Sequence, residues 1–595
     1  MWGDFMSTSV IDVTENILSK KIDKNEALEN FKNLSDDDQK RLIGHIRSRI
    51  SDVSVNVESV NRRLKSAYEL SLTEEQKNFI EELTNQFENH APKSKANALK
   101  HQDYFVDQRK TAGLKKVLKS VQYQLTYERA EGAYLYDIDG NRYIDITGDN
   151  GVNLFGHQPE FMKKALMERM NNGYPLVGYS EDLFEAARLI AELTGHDRVV
   201  FAQSGTESVM WAVRIARAAT LKKKIVLFDG SYHGLSDAVL AFKDRKGSSM
   251  AAGLGMLQEF ADQLIILDYG DTEQLQIIQD NADDIACVLV EPVQSRFPNR
   301  QPIQFLRDVR QLTLENNITL IFDEMITGFR AGCRGAEGFY NVKPDISTYG
   351  KVAGGGMPTG LIAGAAKFMD YVDGGTWSFE GDSMPKLKRT FLAGTHTQNP
   401  LKVAACLAIA REMKNRCKAG DNCNYQNCFL SELNEKTELL SKELNQYFES
   451  KNVPIVIEYF SSLFRFNITD DEFGITRELL IVLLKLNGIE TSTSGNCFLT
   501  TEHSDGDIRG IIEATQKSVE IMLENNFFLP PTEEELEEEK RKLAQANDVR
   551  VVDAPPAEIH SNKSSVDNND EDIRNQLKEL ILTDLKNRNS EGIQQ

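Results

Sequence analysis

Short apolar runs alternate with helical patterns through the middle of the chain. Runs that predict β-strands lie at 199–202, 225–228, 286–290, 319–322, 345–349 and 361–365. These runs are apolar on both faces and are separated by helical patterns, which is typical of central strands in a largely parallel sheet. The pattern therefore predicts an α/β fold with such a sheet at its centre.

A β-hairpin is predicted before this region. Apolar and polar residues alternate on either side of Asp139 and Gly140, and Asp-Gly is a strong short-range signal for a tight turn. After the strand-and-helix region, helix and strand patterns mix again from about residue 397 to 528, which predicts a smaller second domain.

The start of the chain, to about residue 90, reads as short polar helices. Apolar residues from Leu42 to Ile50 recur at helical spacing, and Thr73 and Gln76 are placed to form a capping box that opens another helix. Such narrow stripes cannot build a large core, so these helices must pack on one another, on the main body or on a partner.

Past Pro530 the composition changes. A charge run at 533–542 and a polar stretch at 561–572 are typical of solvated linkers. Apolar residues then recur at helical spacing over 573–585. This terminal helix is as consistent with a docking peptide as with a helix that folds back on its own domain.

The composition narrows the class of protein. Of the 595 residues 41% are hydrophobic, enough for a large core, and the net charge of −21 opposes binding to nucleic acid or to an anionic membrane surface. No apolar stretch approaches the roughly 20 residues that span a bilayer, and the first residues lack the layout of a secretory signal. Seven cysteines fit a reducing interior better than a disulfide framework. We therefore expect a soluble, cytoplasmic enzyme.

One acid and one lysine follow consecutive predicted strands. Asp323 comes directly after the run at 319–322, and Lys351 follows the run at 345–349, with Gly350 before it and further glycines after it. In an open parallel sheet ligands bind beyond the carboxyl ends of the strands, so both side chains should point into one crevice. Burying a charged lysine there costs free energy unless the charge is removed or takes part in the chemistry. A Schiff base with an aldehyde cofactor does both. A structural ion pair is the alternative interpretation.

The two motifs that contain these residues resemble those of the class III pyridoxal-phosphate aminotransferases. Asp-Glu-x-x-x-Gly-Phe-Arg begins at Asp323, and Gly-Lys-x-x-Gly-Gly-Gly begins at Gly350. The resemblance covers roughly residues 100–525 and is greatest to the glutamate-1-semialdehyde aminomutase branch, and within it to aminotransferase domains of nonribosomal peptide and polyketide synthases. It implies a fold-type I transferase, with a large domain around a mostly parallel sheet, a smaller α+β domain, and helical extensions at both ends.

The resemblance implies pyridoxal 5'-phosphate as the cofactor and gives roles to the acid and the lysine. Lys351 would hold the cofactor as an internal aldimine and then carry a proton between Cα of the substrate and C4′ of the cofactor. Burial lowers the pKa of an amine toward the range where it can do so. Asp323 would pair with the pyridine nitrogen and keep it protonated, which makes the ring an electron sink.

The cofactor phosphate is expected at Ser204, Gly205 and Thr206. These residues lie between a predicted strand and a helix predicted to start at Thr206. Exposed amides and the positive end of a helix dipole favour an anion there. Taken alone, the segment would be interpreted as an ordinary helix N-cap, and its place beside Lys351 is what favours the anion site.

Three more residues match motifs of the family. Tyr232 takes the position of the aromatic ring that stacks on the cofactor. His233, beside it, is as consistent with a local hydrogen-bond anchor as with a functional role. Glu291 ends a buried strand and resembles the acid of the family's Glu-Pro step near the substrate, a solvated acid being the alternative.

Thr395 lies in a segment that resembles the family's Gly-Thr…Pro segment, in which the threonine reaches the phosphate of the other subunit's cofactor. This implies at least a homodimer with a shared active site. No metal site is predicted, because Cys417, Cys423 and Cys428 are loosely spaced and no histidine is close in sequence.

These patterns divide the chain into five segments. They are a helical N-terminal extension (1–95), the N-terminal part of the aminotransferase with its hairpin (96–165), the large cofactor-binding domain (166–396), the small C-terminal domain (397–530), and a charged linker with a terminal amphipathic helix (531–595).

The sequence indicates the substrate less directly than it indicates the fold and the cofactor. Segments 151–157 and 495–499 resemble assembly-line aminotransferases more than aminomutases, and Ser-Thr-Ser-Gly-Asn at 492–496 replaces an acid that the aminomutase is expected to have near the second segment. We expect transfer of an amino group from an amino acid, glutamate or glutamine, to a keto or aldehyde carbon of an acyl chain, free or bound to an acyl carrier protein that docks on the terminal extensions. The alternative is the intramolecular amine transfer of a glutamate-1-semialdehyde 2,1-aminomutase.

Overall fold

The computed structural model describes residues 72–244, 246–417, 428–469 and 474–528, all of which belong to one unit, Arg62–Pro530. The predicted helix that runs from Ser35 with its apolar stripe over 42–50, the terminal helix at 573–585 and Cys423 lie outside the described residues. Among the helices within them, none has the length and apolar character needed to cross a membrane.

Strands and helices alternate along most of the described chain. The strands are β1 Tyr127–Glu131, β2 Tyr134–Asp137, β3 Arg142–Asp145, β4 Arg198–Ala202, β5 Lys224–Phe228, β6 Ala241–Lys243, β7 Ser249–Ala251, β8 Leu264–Leu267, β9 Ile285–Val290, β10 Thr319–Asp323, β11 Ile346–Tyr349, β12 Gly360–Gly364, β13 Ile455–Phe460, β14 Leu463–Ile468, β15 Ile489–Glu490 and β16 Asn496–Phe498. The α-helices are α1 Glu74–His90, α2 Pro92–His101, α3 Gly148–Gly151, α4 Glu160–Asn171, α5 Glu181–Thr194, α6 Gly205–Thr220, α7 Gln258–Ala261, α8 Leu275–Asp280, α9 Ile303–Glu315, α10 Gly335–Tyr340, α11 Lys351–Gly354, α12 Ala366–Asp373, α13 Pro400–Arg416, α14 Ser431–Lys451, α15 Thr476–Leu486 and α16 Asp505–Glu524, and a 3₁₀ helix spans Lys116–Val121.

A seven-stranded sheet, in the order β4-β12-β11-β10-β9-β5-β8, is the centre of the fold. Its strands from β11 to β8 pair in parallel, and β12 runs antiparallel to both of its neighbours. All six predicted strands belong to this sheet, so the prediction of a largely parallel sheet is confirmed. The seventh strand, β8, was missed because it is a four-residue strand at the edge.

Helices cover both faces of this sheet. Ile225 and Leu227 of β5 share an apolar cluster with Trp211 of α6. The intervening Val226 shares a different cluster with Phe305 of α9. Because successive side chains of a strand point to opposite faces, α6 and α9 pack on opposite sides. This explains why the strands lack a polar face.

The predicted hairpin is confirmed, since β2 and β3 pair antiparallel around the Asp-Gly turn. A short strand from much later in the chain, β15, pairs in parallel with β3. One four-stranded sheet thus contains residues from two of the predicted segments, 96–165 and 397–530. The boundaries of the five segments remain predictions.

Helix α1 begins at the predicted capping box and packs on the main body. Thr73 Oγ1 accepts a hydrogen bond from the Gln76 backbone N–H at 3.1 Å, and Gln76 Oε1 accepts one from the Thr73 N–H at 3.0 Å. The Gln76 amide also donates to the carbonyl of Asn526, and the rings of Phe79 and Phe527 lie 5.7 Å apart. The sequence left three possible packing partners for this helix: another N-terminal helix, the main body or a separate protein. In the structure α1 packs on the main body.

Candidate active site

The carboxyl ends of β10 and β11 bring the predicted acid and lysine to one place. Asp323 is the last residue of β10 and lies beside Thr348 of β11 in the parallel register. Lys351 follows β11 after Gly350 and opens α11. Parallel pairing therefore places two side chains that are far apart in sequence at the same edge of the sheet, as the sequence predicts.

A cavity of about 440 Å³ opens at this edge. Eight of the nine predicted site residues line it, namely Ser204, Gly205, Thr206, Tyr232, His233, Glu291, Asp323 and Lys351. The other lining residues are Val152, Gln203, Val209, Gly234, Ser295, Met325, Ile326, Gly356, Met357, Pro358 and Thr359. The ninth predicted residue, Thr395, is not among them.

Asp323 is buried and fixed by three neighbours. The ring nitrogen Nδ1 of His233 lies 2.8 Å from Asp323 Oδ2 and donates to it. On the other oxygen, Oδ1, the hydroxyl of Thr348 donates at 3.0 Å and the backbone N–H of Met325 at 3.2 Å. Because a carboxylate offers about four lone-pair sites, these three bonds leave room for one more donor.

Lys351 combines a buried amine with two acids. Burial lowers the pKa of its ammonium, and the nearby carboxylates of Asp323 and Glu291 oppose that shift. The guanidinium of Arg330 acts in the same direction as burial. The lowered pKa increases the neutral fraction of the amine, which is the form that attacks carbonyl groups and accepts protons.

The N-terminus of α6 forms one end of the cavity. The helix begins at Gly205, one residue earlier than predicted, and Ser204 is its N-cap, whose Oγ accepts the Glu207 N–H at 3.2 Å. Gly234 has a φ of +91°, and a Cβ there would lie 2.7 Å from Thr206 Oγ1. Only glycine therefore allows the loop after His233 to approach this helix end, where free N–H groups favour an anion.

The loop that carries Tyr232 and His233 crosses the cavity. Tyr232 is 49% exposed and lines the cavity, so its ring is accessible to a flat ligand. His233 is buried, and its hydrogen bond to Asp323 helps to hold that acid in place. A role of His233 toward the cofactor stays a prediction. Its other nitrogen, Nε2, is buried without a hydrogen-bond partner in the part of the chain that the structure describes.

Glu291 follows β9 and holds two loops of the cavity. Its carboxylate accepts the backbone N–H of Tyr232 at 3.3 Å and that of Ser295 at 3.0 Å. Burial raises the pKa of this carboxyl, and the nearby ring of His233 opposes the shift. The acid is therefore buried rather than solvated, in contrast to the alternative considered from sequence.

Thr395 lies on an exposed loop outside the cavity. In the same loop the hydroxyl of Thr397 donates to the carbonyl of Gly394 at 2.9 Å. The structure of one chain therefore does not bring Thr395 to its own Lys351.

Two buried groups near the site were missed from sequence. The carboxylate of Glu324 accepts hydrogen bonds from the N–H groups of Ala336 and Glu337 and from the hydroxyl of Thr327. Arg330 donates to Ser462 Oγ, to the carbonyl of Leu499 and to the carbonyl of Gly151. Both belong to the Asp-Glu-x-x-x-Gly-Phe-Arg motif, so the motif itself was the available signal.

Three cysteines converge away from the cavity. The sulfur atoms of Cys333, Cys417 and Cys428 lie within 4.8 Å of one another and all three residues are buried. Cys333 and Cys428 are free thiols. The approach of Cys333 to the other two cysteines had no signal in the sequence spacing.

The arrangement fits pyridoxal phosphate. The cavity is lined by an amine, by a buried carboxylate with room for one more donor, and by a helix N-terminus. These three groups match the aldehyde, the ring nitrogen and the phosphate of that cofactor. The orphaned Nε2 of His233 adds a buried polar atom beside the same carboxylate.

Comparison with known proteins agrees with this chemistry. The family model described as aminotransferase class-III matches residues 117–496. The glutamate-1-semialdehyde 2,1-aminomutase of Methanosphaera stadtmanae is 32% identical over 420 residues, which is 67% of this chain and 92% of that protein.

Solved structures of transaminases share the fold. A transaminase with PLP bound aligns with a TM-score of 0.64 and 25% identity over 73% of this chain and 98% of its own. The β-phenylalanine aminotransferase of Variovorax paradoxus aligns with a TM-score of 0.62 and 25% identity, covering 74% of this chain and 97% of its own. The fold is accordingly that of the fold-type I enzymes, and the protein is a transaminase that depends on pyridoxal phosphate. The chain belongs to the class III aminotransferases.

Proposed function

We propose that this enzyme transfers an amino group from glutamate or glutamine to a keto or aldehyde carbon of an acyl substrate. The observation that carries the proposal is the position of Lys351, whose amine has a lowered pKa and lines the cavity together with Asp323. When bound, pyridoxal phosphate supplies a ring that withdraws electrons from the carbon that gives up its proton.

In this proposal Lys351 holds the cofactor and then moves a proton. Its amine accepts a proton from the Cα of the donor and returns a proton to the acceptor, a task for which a pKa near the working pH is best. Asp323 keeps a proton on the ring nitrogen of the cofactor. His233 and Thr348 support this role, because their hydrogen bonds fix the carboxylate in one orientation.

Four further predicted residues orient the cofactor. Ser204, Gly205 and Thr206 hold its phosphate at the N-terminus of α6, where a negative charge is favoured. Tyr232 stacks on its ring with the half-exposed face of the phenol. Glu291 fixes the loop of Tyr232 by accepting its backbone N–H, and we assign it to the binding of the substrate.

The second candidate is the intramolecular transfer of a glutamate-1-semialdehyde 2,1-aminomutase. It is favoured by relatives of that name, such as the protein of Sulfurisphaera tokodaii, 33% identical over 416 residues that cover 67% of this chain and 93% of that protein. Against it stands the segment 492–496, which has no acid. Arg465 donates to Ser494 O at 2.8 Å and to Asn496 Oδ1 at 2.6 Å, so a cation lies against this segment.

Incubation with glutamate alone distinguishes the two reactions. We expect the purified holoenzyme to release about one 2-oxoglutarate per active site, because a transaminase completes its donor half-reaction without an acceptor. Glutamine is tested in parallel, with its keto acid as the product. The measurement is quantification of the keto acid after rapid quenching.

Glutamate-1-semialdehyde, supplied without any donor, is the matched control. If neither amino acid yields a keto acid while the semialdehyde becomes 5-aminolevulinate, the enzyme is an aminomutase and the proposed transfer is wrong.

We further propose that the acceptor is bound to an acyl carrier protein that docks on the terminal extensions, in polyketide or nonribosomal peptide biosynthesis. The basis is the sequence of the tail, with its amphipathic pattern at 573–585 after a polar linker. Deleting 545–595 should slow turnover of a carrier-bound acceptor and leave that of a free acceptor unchanged. An equal loss on both acceptors, measured as kcat/KM, would contradict a docking role.

Class III aminotransferases are typically dimers. We propose a homodimer in which Thr395 of one subunit contacts the phosphate of the cofactor in the other, which accords with its exposure outside its own cavity. A cytoplasmic location likewise stays a prediction from composition.

A further inference from the structure

A buried lysine outside the cavity joins two parts of the cofactor site. Lys402 lies in the first turns of α13 and is 2% exposed. Its Nζ donates to the carbonyl of Ala202 at 2.9 Å, to that of His396 at 3.1 Å and to that of Thr397. Three N–H groups of one ammonium thus meet three backbone carbonyls.

The three carbonyls lie next to the two segments that we propose to hold phosphate. Ala202 is the last residue of β4, two residues before Ser204 and the N-terminus of α6. His396 and Thr397 directly follow Thr395. Lys402 therefore ties the strand that leads into one phosphate loop to the loop that carries the threonine proposed for the partner's phosphate.

The charge of this lysine is what makes the three bonds possible. Hydrogen bonds from an ammonium are about twice as strong as neutral ones, and a neutral amine has only two N–H groups for three carbonyls. Burial lowers the pKa of Lys402 to about 8, so its charge is lost at mildly alkaline pH. The titratable groups that oppose this shift are the side chains of Cys406 in α13 and Glu207 in α6.

We propose that Lys402 is a positioning residue for the cofactor, whose ammonium fixes the relative placement of the Ser204 loop and the Thr395 loop and thereby sets the affinity for the phosphate of pyridoxal phosphate. The proposal rests on the proposed phosphate roles of those two loops. It adds a residue that does not touch the cavity and therefore acts only through the loops it holds.

Titration of the apoenzyme with pyridoxal phosphate tests this proposal. We expect Lys402→Met to raise the Kd about tenfold at neutral pH, the loss of one set of charge-assisted hydrogen bonds. The Kd for pyridoxal, which has no phosphate, should stay within about twofold by the same reasoning. At saturating cofactor the kcat should remain close to that of the wild type.

The pH dependence separates positioning from a general structural role. The wild-type Kd for pyridoxal phosphate should rise as the pH passes about 8, where the ammonium loses its proton. Lys402→Arg, which keeps the charge, should remove this rise, and Lys402→Met should show the raised Kd at every pH. If Lys402→Met does not fold, the arginine variant alone decides, because an unchanged rise in that variant would overturn the proposal.

Lys222 supplies a matched control. It also donates to three backbone carbonyls, those of Ala282, Asn316 and Asn317, and its pKa is also lowered by burial. Lys222→Met should therefore leave the Kd within about twofold. An equal loss of affinity in Lys222→Met and Lys402→Met, or no loss in a folded Lys402→Met, would refute the positioning role. The titration uses no amino donor, so its outcome is independent of the reaction proposed above.

Discussion

A Lys351→Ala enzyme is expected to lose at least about 10³-fold in kcat for amino transfer while keeping its fold. Removing the amine takes away both the group that holds the cofactor and the group that moves the proton, and proton transfer by a positioned base is worth about 10² to 10⁴ on its own. The helix α11 tolerates alanine, so circular dichroism and thermal unfolding should change little.

The loss should be partly reversible with a small external amine. Methylamine in the cavity can accept and return the same proton, so added amine should raise the turnover of Lys351→Ala in a concentration-dependent way. The control is Lys222→Met, which removes a lysine that bonds to backbone carbonyls away from the cavity. This variant should retain wild-type turnover. If Lys351→Ala retained more than about a tenth of the wild-type kcat, the role of this lysine would be contradicted. The loss would then be smaller than the rate enhancement that a positioned base provides.

Asp323→Asn is expected to lower kcat by about 10² to 10⁴, because a neutral amide does not keep a proton on the ring nitrogen and the electron-withdrawing power of the cofactor falls. The amide has the shape of the carboxylate, so His233 and Thr348 can still contact it. The effect should therefore appear in kcat rather than in stability. Steady-state kinetics with saturating pyridoxal phosphate is the measurement.

Thr348→Val provides the comparison for this prediction. It removes one hydrogen bond to Oδ1 and keeps the negative charge, so its cost should be no more than about tenfold, as for one net hydrogen bond. If Asp323→Asn and Thr348→Val were equally active, the charge of Asp323 would have no special part in the reaction.

The sequence predicts the central sheet well because its strands are apolar on both faces, a pattern that depends on burial alone. It also predicts that Asp323 and Lys351 meet, since parallel neighbours end at one edge. What it could not predict depends on tertiary contacts between distant segments. The contact of His233 with Asp323, the pairing of β15 with β3 and the three carbonyls around Lys402 have no local signal.

The edge strand β8 could not be predicted from the sequence pattern for a different reason. Its four apolar residues pair on one side only, and such a short run has no period that distinguishes a strand from a buried helix segment. The contact of Thr395 could not be predicted from the residues alone either. Its proposed partner is the cofactor of a second subunit, and one folded chain does not contain that contact.

The central claim is that Lys351 is the residue that binds pyridoxal phosphate covalently. Borohydride reduction of the holoenzyme, followed by proteolysis and mass spectrometry, measures this directly. We expect a single pyridoxyl-modified peptide with the modification on Lys351, and no label on Lys402, a buried lysine near the site. Modification of a different lysine, or an unmodified Lys351 in protein that carries the cofactor, would contradict the account.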